Sequence, residues 1–183
     1  MPLKPWTVLS SSHLVQDRWI SVRADRCRTD EGVEIAPYYV LEYPDWVLIV
    51  ALDDDDHLVL IEQYRHGLAT MSLELPAGGV EPGDADPIAA GRRELLEETG
   101  YAATRCDHVV TLSPNPASHN NRCHVLLATG LWVATAPETN PREQVRSRRL
   151  PVAEAVGLAR NGRIIQSMHV AALAVALSSV GKW

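Results

Sequence analysis

Three carboxylates, Glu94, Glu97 and Glu98, fall within the run Arg93-Glu94-Leu95-Leu96-Glu97-Glu98-Thr99-Gly100-Tyr101. Their spacing is i, i+3 and i+4, so on a helix they share one face. Like charges at i,i+4 repel by roughly 0.2–0.5 kcal/mol per pair. A bound cation removes that cost. Hard divalent ions such as magnesium select carboxylate oxygens, and proteins commonly hold them together with substrate phosphates. The pattern therefore points to metal-assisted phosphate chemistry.

The elements that must position these acids can be read around them. Asp86 is a good N-cap and Pro87 suits the first helical position, which predicts a helix from Pro87 to Thr99. Gly100 then supplies the left-handed C′ residue. Before the helix, Pro76 stops a short strand at Leu73-Glu74-Leu75, and Ala77-Gly78-Gly79-Val80-Glu81-Pro82-Gly83-Asp84 reads as a loop. Trp46 to Leu52 is a continuous apolar run, as expected of a buried strand, and His57 to Tyr64 resumes as its neighbour. Asp53 to Asp56, between them, reads as a solvated hairpin turn. Further strands are expected at 109–112 and 124–128, a short helix at 151–159 and a longer one at 164–179. At the N-terminus, 19–27 and 33–42 read as strands around the Thr29-Asp30-Glu31-Gly32 turn, giving a hairpin lobe over residues 1–43 ahead of a main domain over 44–183. Helices and strands mix without regular alternation, which favours an α+β or mixed-sheet sandwich over a doubly wound fold.

Composition narrows the class. The chain has 183 residues, 46% of them apolar, and a formal net charge of −6. That balance disfavours a nucleic-acid binder, which needs a basic face, but not a small phosphorylated ligand. The only basic cluster is Arg142 to Arg149. The three cysteines, Cys27, Cys106 and Cys123, form no Cys-x-x-Cys pair and read as reduced cytoplasmic thiols. No signal peptide is expected, and no stretch approaches the ~20 apolar residues of a membrane span.

The loop and helix together resemble the Nudix box: glycine, five residues, glutamate, seven residues, then Arg-Glu-apolar-x-Glu-Glu-x-Gly-apolar. The second half matches at Arg93, Glu94, Leu95, Glu97, Glu98, Gly100 and Tyr101. In the first half Asp84 stands in for the glutamate, with one extra residue near Ala85. The resemblance implies a Nudix-type α/β/α sandwich with a mixed sheet, preceded by the small N-terminal β lobe. It implies hydrolysis of a diphosphate with Mg2+, for which Mn2+ can substitute. The metal ligands would be Glu94, Glu97, Glu98 and the backbone carbonyl of Ala77, and Gly78 and Gly79 would let the loop approach the diphosphate. Arg93 is expected to form an internal ion pair that orients one of the glutamates. A loop acid after the box would activate the attacking water. Glu143 is the first choice and Glu138 the other.

The resemblance covers most of the chain and points to the ADP-ribose pyrophosphatase-like branch. Gln63-Tyr64-Arg65-His66-Gly67 and Leu73-Glu74-Leu75-Pro76-Ala77-Gly78 carry it. In that branch the arginine corresponding to Arg65 contacts the substrate's phosphates, a task suited to its planar fork; a surface salt bridge is the plainer reading. Pro116 takes the place of a proline about sixteen residues past the box. Trp19 aligns with an adenine-stacking tryptophan, with Tyr38 or Tyr39 facing it from a second subunit, which implies a homodimer. The leading substrate is thus a nucleoside diphosphate sugar, ADP-ribose, giving AMP and ribose 5-phosphate. GDP-mannose or another nucleoside diphosphate derivative is the second reading, and a nucleotide-sensing module without turnover the third. Neither nucleic acid nor membrane is expected as a partner.

Overall fold

A computed structural model describes residues 2–137 and 144–183, in two compact units. The first unit comprises residues 1–44 and 113–122, and the second residues 45–112 and 123–183. The segment 113–122 lies within the main region of the sequence reading, yet its contacts group it with the N-terminal residues.

The first unit is a three-stranded antiparallel sheet of β1 (Thr7–Gln16), β2 (Ser21–Arg28) and β3 (Glu34–Glu42), in that spatial order. The expected hairpin is β2–β3, turning at Gly32 with φ of 85°. The additional strand β1 has the sequence Thr-Val-Leu-Ser-Ser-Ser-His-Leu-Val-Gln and is exposed throughout. Its serines blur the alternation that marks a strand, so the pairing with β2 defines it. Segment 113–122 docks beside β3: the Leu41 amide donates to the Ser118 carbonyl at 2.7 Å, and Asn121 Nδ2 to the Pro44 carbonyl at 3.0 Å.

The second unit is built on the sheet order β10 (Val145–Pro151), β5 (His57–Arg65), β4 (Trp46–Leu52), β9 (Cys123–Val133), β8 (Tyr101–Leu112). β6 (Thr70–Glu74) pairs with β5, and β7 (Ala77–Gly79) with β4. β4 and β9 run parallel and the remaining pairs antiparallel, so the sheet is mixed. β4 explains its own continuous apolar run. Val47, Ile49 and Ala51 enter one core with Ala90 and Leu95 of α1 (Pro87–Thr99). Leu48, Val50 and Leu52 enter the other, with α2 (Val152–Arg160) and α3 (Ser167–Ser179). A strand buried on both faces has no polar side to show. The result is the expected α/β/α sandwich.

β8 begins at Tyr101 rather than 109, β9 runs to Val133 rather than 128, and β10 is an additional strand; two other differences have local reasons. α3 starts three residues later than the apolar pattern, because the Gln166 side chain caps it by accepting from the Met168 amide. The supposed loop after Pro76 begins as β7, whose three residues are ordered by pairing with Trp46, Val47 and Leu48.

Candidate active site

α1 has the predicted ends. The Asp86 side chain accepts from the Ala89 amide at 2.8 Å, and Gly100 adopts φ of 76° with its amide bonded to the Leu96 carbonyl. Leu95 faces the core, while Glu94 and Glu98 meet the β7 edge and Glu97 bonds Arg93. Glu98 is buried, and its Oε2 accepts the Ala77 amide at 2.9 Å, tying helix to loop. Glu94 lies directly on Gly78: a Cβ built there would sit 2.0 Å from Glu94 Oε1. Only glycine admits that approach.

Arg93 gathers the cluster. Its Nη1 donates to Glu94 at 2.8 Å and Glu97 at 3.2 Å; its Nη2 donates to the Gly79 carbonyl at 2.9 Å and to Asp84 at 3.0 Å. The bond to Asp84, with those to Glu94, holds the guanidinium well above its ordinary value, and Arg93 in turn holds the Asp84 carboxyl below its own. The internal ion pair expected of Arg93 is therefore a network that also includes the acid standing in the first half of the box.

The donor set fits a hard divalent cation: carboxylate oxygens on one face, with Glu94 and Glu97 partly open to solvent and Gly78 allowing close backbone approach. Among the described residues no three acid, histidine or cysteine side chains already converge as a cation cage. Arg93 supplies the positive charge in their midst instead.

Arg65, at the end of β5, pairs with Glu74 of β6: Nε to Oε1 at 2.9 Å and Nη2 to Oε2 at 2.6 Å. Glu74 is 1% exposed. Burial pushes its carboxyl up, but it stays below the usual range, with the hydrogen bonds from Arg65 the largest opposing cause. Neither Glu74 nor His169 stood out in the sequence as a site residue. The available signals were a lone acid in an apolar strand and a lone histidine in an apolar helix.

Trp19, Tyr39 and Pro116 belong to the first unit and are exposed. The Arg18 guanidinium lies 4.3 Å from the Trp19 ring centre. The Tyr38 hydroxyl donates to the Ala117 carbonyl. Glu138 and Glu143 lie outside the described residues. His119 stacks on Tyr43, while His124 bonds Thr111, so the two histidines have separate structural partners.

An acid-faced helix packed under a glycine loop on a mixed sheet defines the class, and comparison with known proteins agrees. The NUDIX domain profile matches residues 42–169, so the chain belongs to the Nudix family and is a Nudix hydrolase. A second profile, the nucleoside diphosphate sugar hydrolase N-terminal domain, matches residues 6–41. An ADP-ribose pyrophosphatase of Mycobacterium tuberculosis is 33% identical over 164 residues, spanning 89% of this chain and 79% of that protein. A methanol dehydrogenase activator of Bacillus methanolicus is 26% identical over 166 residues, 90% of this chain and 89% of its own length. The crystal structure of an ADP compounds hydrolase superposes with a TM-score of 0.86 at 25% identity, covering both chains fully.

Proposed function

We propose that the enzyme hydrolyses the diphosphate of a nucleoside diphosphate sugar with Mg2+, its principal substrate being ADP-ribose and its products AMP and ribose 5-phosphate. The observation that carries this reading is the acid face of α1, with Glu94 pressed on Gly78 and Glu98 bonded to Ala77. The similarity of residues 6–41 to nucleoside diphosphate sugar hydrolases and the names of the relatives support the substrate class.

Glu94, Glu97, Glu98 and the Ala77 carbonyl would hold the metal. When bound, magnesium supplies the positive charge that diphosphate cleavage demands. The chain's own residues set the stage. Arg93, fixed by Asp84 and the Gly79 carbonyl, keeps Glu94 and Glu97 in register. Gly78 and Gly79 let the loop backbone come close to the substrate's phosphates, and Arg65 pairs with them. Pro116 shapes the substrate loop, Trp19 stacks the adenine with Tyr39 contributed by a partner subunit, and Glu143 orients the attacking water.

A homodimer fits this scheme. β1 is an edge strand, and Val8, Leu14 and Val15 on it are about half exposed, a surface suited to pairing with a second copy. No helix among the described residues is long and apolar enough to cross a membrane. The unpaired, buried thiols fit a reducing cytoplasm.

The test is a panel of nucleoside diphosphate sugars with Mg2+ or Mn2+, with products identified in oxygen-18 water. ADP-ribose is expected to turn over fastest, and E94Q to lose activity while keeping its fold. No turnover of any member rejects the reading. Equal rates on adenine and guanine substrates reject the Trp19 clamp.

A further inference from the structure

Thr70–Glu74 is a short strand that Pro76 prevents from continuing, and Glu74 is its last residue. Beyond it the Leu75 amide has left the ladder, and its acceptor is a side chain: His169 Nδ1, at 2.8 Å. That bond fixes the tautomer. A neutral imidazole that accepts at Nδ1 carries its proton on Nε2. His169 is fully buried, and burial lowers it to about 4, so the neutral form holds at physiological pH. Nε2 then lies 3.4 Å from Glu74 Oε2, close but not hydrogen-bonded to it, and has no protein hydrogen-bond partner among the described residues. Glu74 directs both carboxylate oxygens at Arg65 in a bidentate pair. The series runs from α3 through a buried acid to an arginine whose side chain is 45% exposed.

The arrangement is more than an ion pair between neighbours. Across the β5–β6 ladder Arg65 sits opposite Thr70, while Glu74 sits opposite Ile61. The guanidinium therefore reaches back along the sheet, four positions from its register partner, to meet the one buried acid there. An arginine at an open strand end otherwise samples many rotamers, and immobilising it costs affinity when a ligand binds. A bidentate carboxylate fixes both the plane and the position of the fork in advance.

We propose that Glu74, backed by His169, is a positioning residue for Arg65, holding its guanidinium in place for the substrate's diphosphate. The inference rests on the nucleotide-sugar reading above. Glu74 touches no reacting atom; it acts through Arg65.

The experiment is a double-mutant cycle of E74Q and R65K on the full-length enzyme with ADP-ribose and Mg2+. E74Q is expected to raise KM about tenfold with kcat changed less than threefold. In the R65K background the same change should add less than twofold. A readout free of turnover accompanies it: the 15N-labelled Arg65 Nε–H, assigned by its loss in R65K, exchanges slowly in the unliganded protein and rapidly in E74Q. Should E74Q fail to fold, H169N takes its place, since asparagine keeps an acceptor near the Nδ1 position for Leu75 and removes the ring nitrogen that faces Glu74. H169N is expected to raise KM about threefold, and not at all with R65K. An unchanged KM in the single variants, or an equal loss in both backgrounds, overturns the positioning role while leaving the nucleotide-sugar reading intact. Absence of turnover by the wild-type enzyme on every nucleoside diphosphate sugar overturns both.

Discussion

Replacing Gly78 by alanine tests whether close loop approach sets the acid geometry. A Cβ at this position would lie 2.0 Å from Glu94 Oε1, 2.1 Å from Cδ and 2.5 Å from Oε2. Ordinary contact begins near 3.4 Å, so the carboxylate must retreat by about 1.4 Å. The clashing atoms are the end of a flexible side chain, so the fold should survive with a small loss of stability. Activity should not. A misplacement of about 1 Å in a reacting constellation costs on the order of 10²-fold, equivalent to about 2.7 kcal/mol of barrier. We expect G78A to lose about 100-fold in kcat/KM on ADP-ribose, with Tm within a few degrees of wild type. Gly83 in the same loop, where an added Cβ meets nothing within 4 Å, provides the control, and G83A should stay within about twofold. The reasoning is refuted if G78A retains activity within threefold, or if G83A loses as much as G78A.

Further outcomes follow from other parts of the site. E98Q removes a charge whose Oε2 holds the Ala77 amide, and kcat should fall on the order of 10²–10³-fold at saturating Mg2+, measured by chromatographic quantification of the AMP formed. D84N weakens the support of Arg93, and kcat/KM should fall about tenfold, with a larger fall pointing to direct metal ligation by Asp84. His169 is held near 4 when folded against about 6.5 unfolded, so the unfolded chain takes up a proton first as pH drops. Stability contributed by the neutral ring is thus complete above about pH 6.5 and is lost between 6.5 and 4, by roughly 3 kcal/mol. Glu74 and Arg65 face the ring, and the depressed Glu74 adds acid lability at the lower end. Chemical denaturation across this range should show a slope that H169Q flattens. Cys27, Cys106 and Cys123 are all buried, and burial pushes Cys123 up to about 12. An aromatic disulfide reagent should find no fast thiol in the native protein and three after denaturation.

What the sequence disclosed was local. α1 could be bounded to the residue because its N-cap, N1 proline and C′ glycine each act within one turn. β4 could be bounded because a strand buried on both sides contains nothing polar. The acid face followed from helical spacing alone. What escaped depended on partners distant in the chain. β1 is exposed and serine-rich, and becomes a strand by pairing with β2. β7 is three residues ordered by β4. Segment 113–122 groups with the N-terminal unit through bonds to Leu41 and Pro44. The Leu75–His169 bond joins residues 94 positions apart, and no periodicity announces such a contact.

Asp84 and Asp86, two residues apart ahead of α1, have different partners. Asp84 closes a tight turn, its amide donating to the Glu81 carbonyl at 3.0 Å while its Oδ2 accepts the Glu81 amide at 2.8 Å. The turn brings the short carboxylate within reach of Arg93, which donates to both of its oxygens. The next acid, Asp86, is already committed to capping α1, so it cannot serve Arg93 as well. One aspartate starts the helix, the other anchors the arginine. Asp84 thus anchors Arg93 from outside the helix, while Arg93 bonds Glu94 and Glu97 along it, so the arginine joins the turn to the acid face.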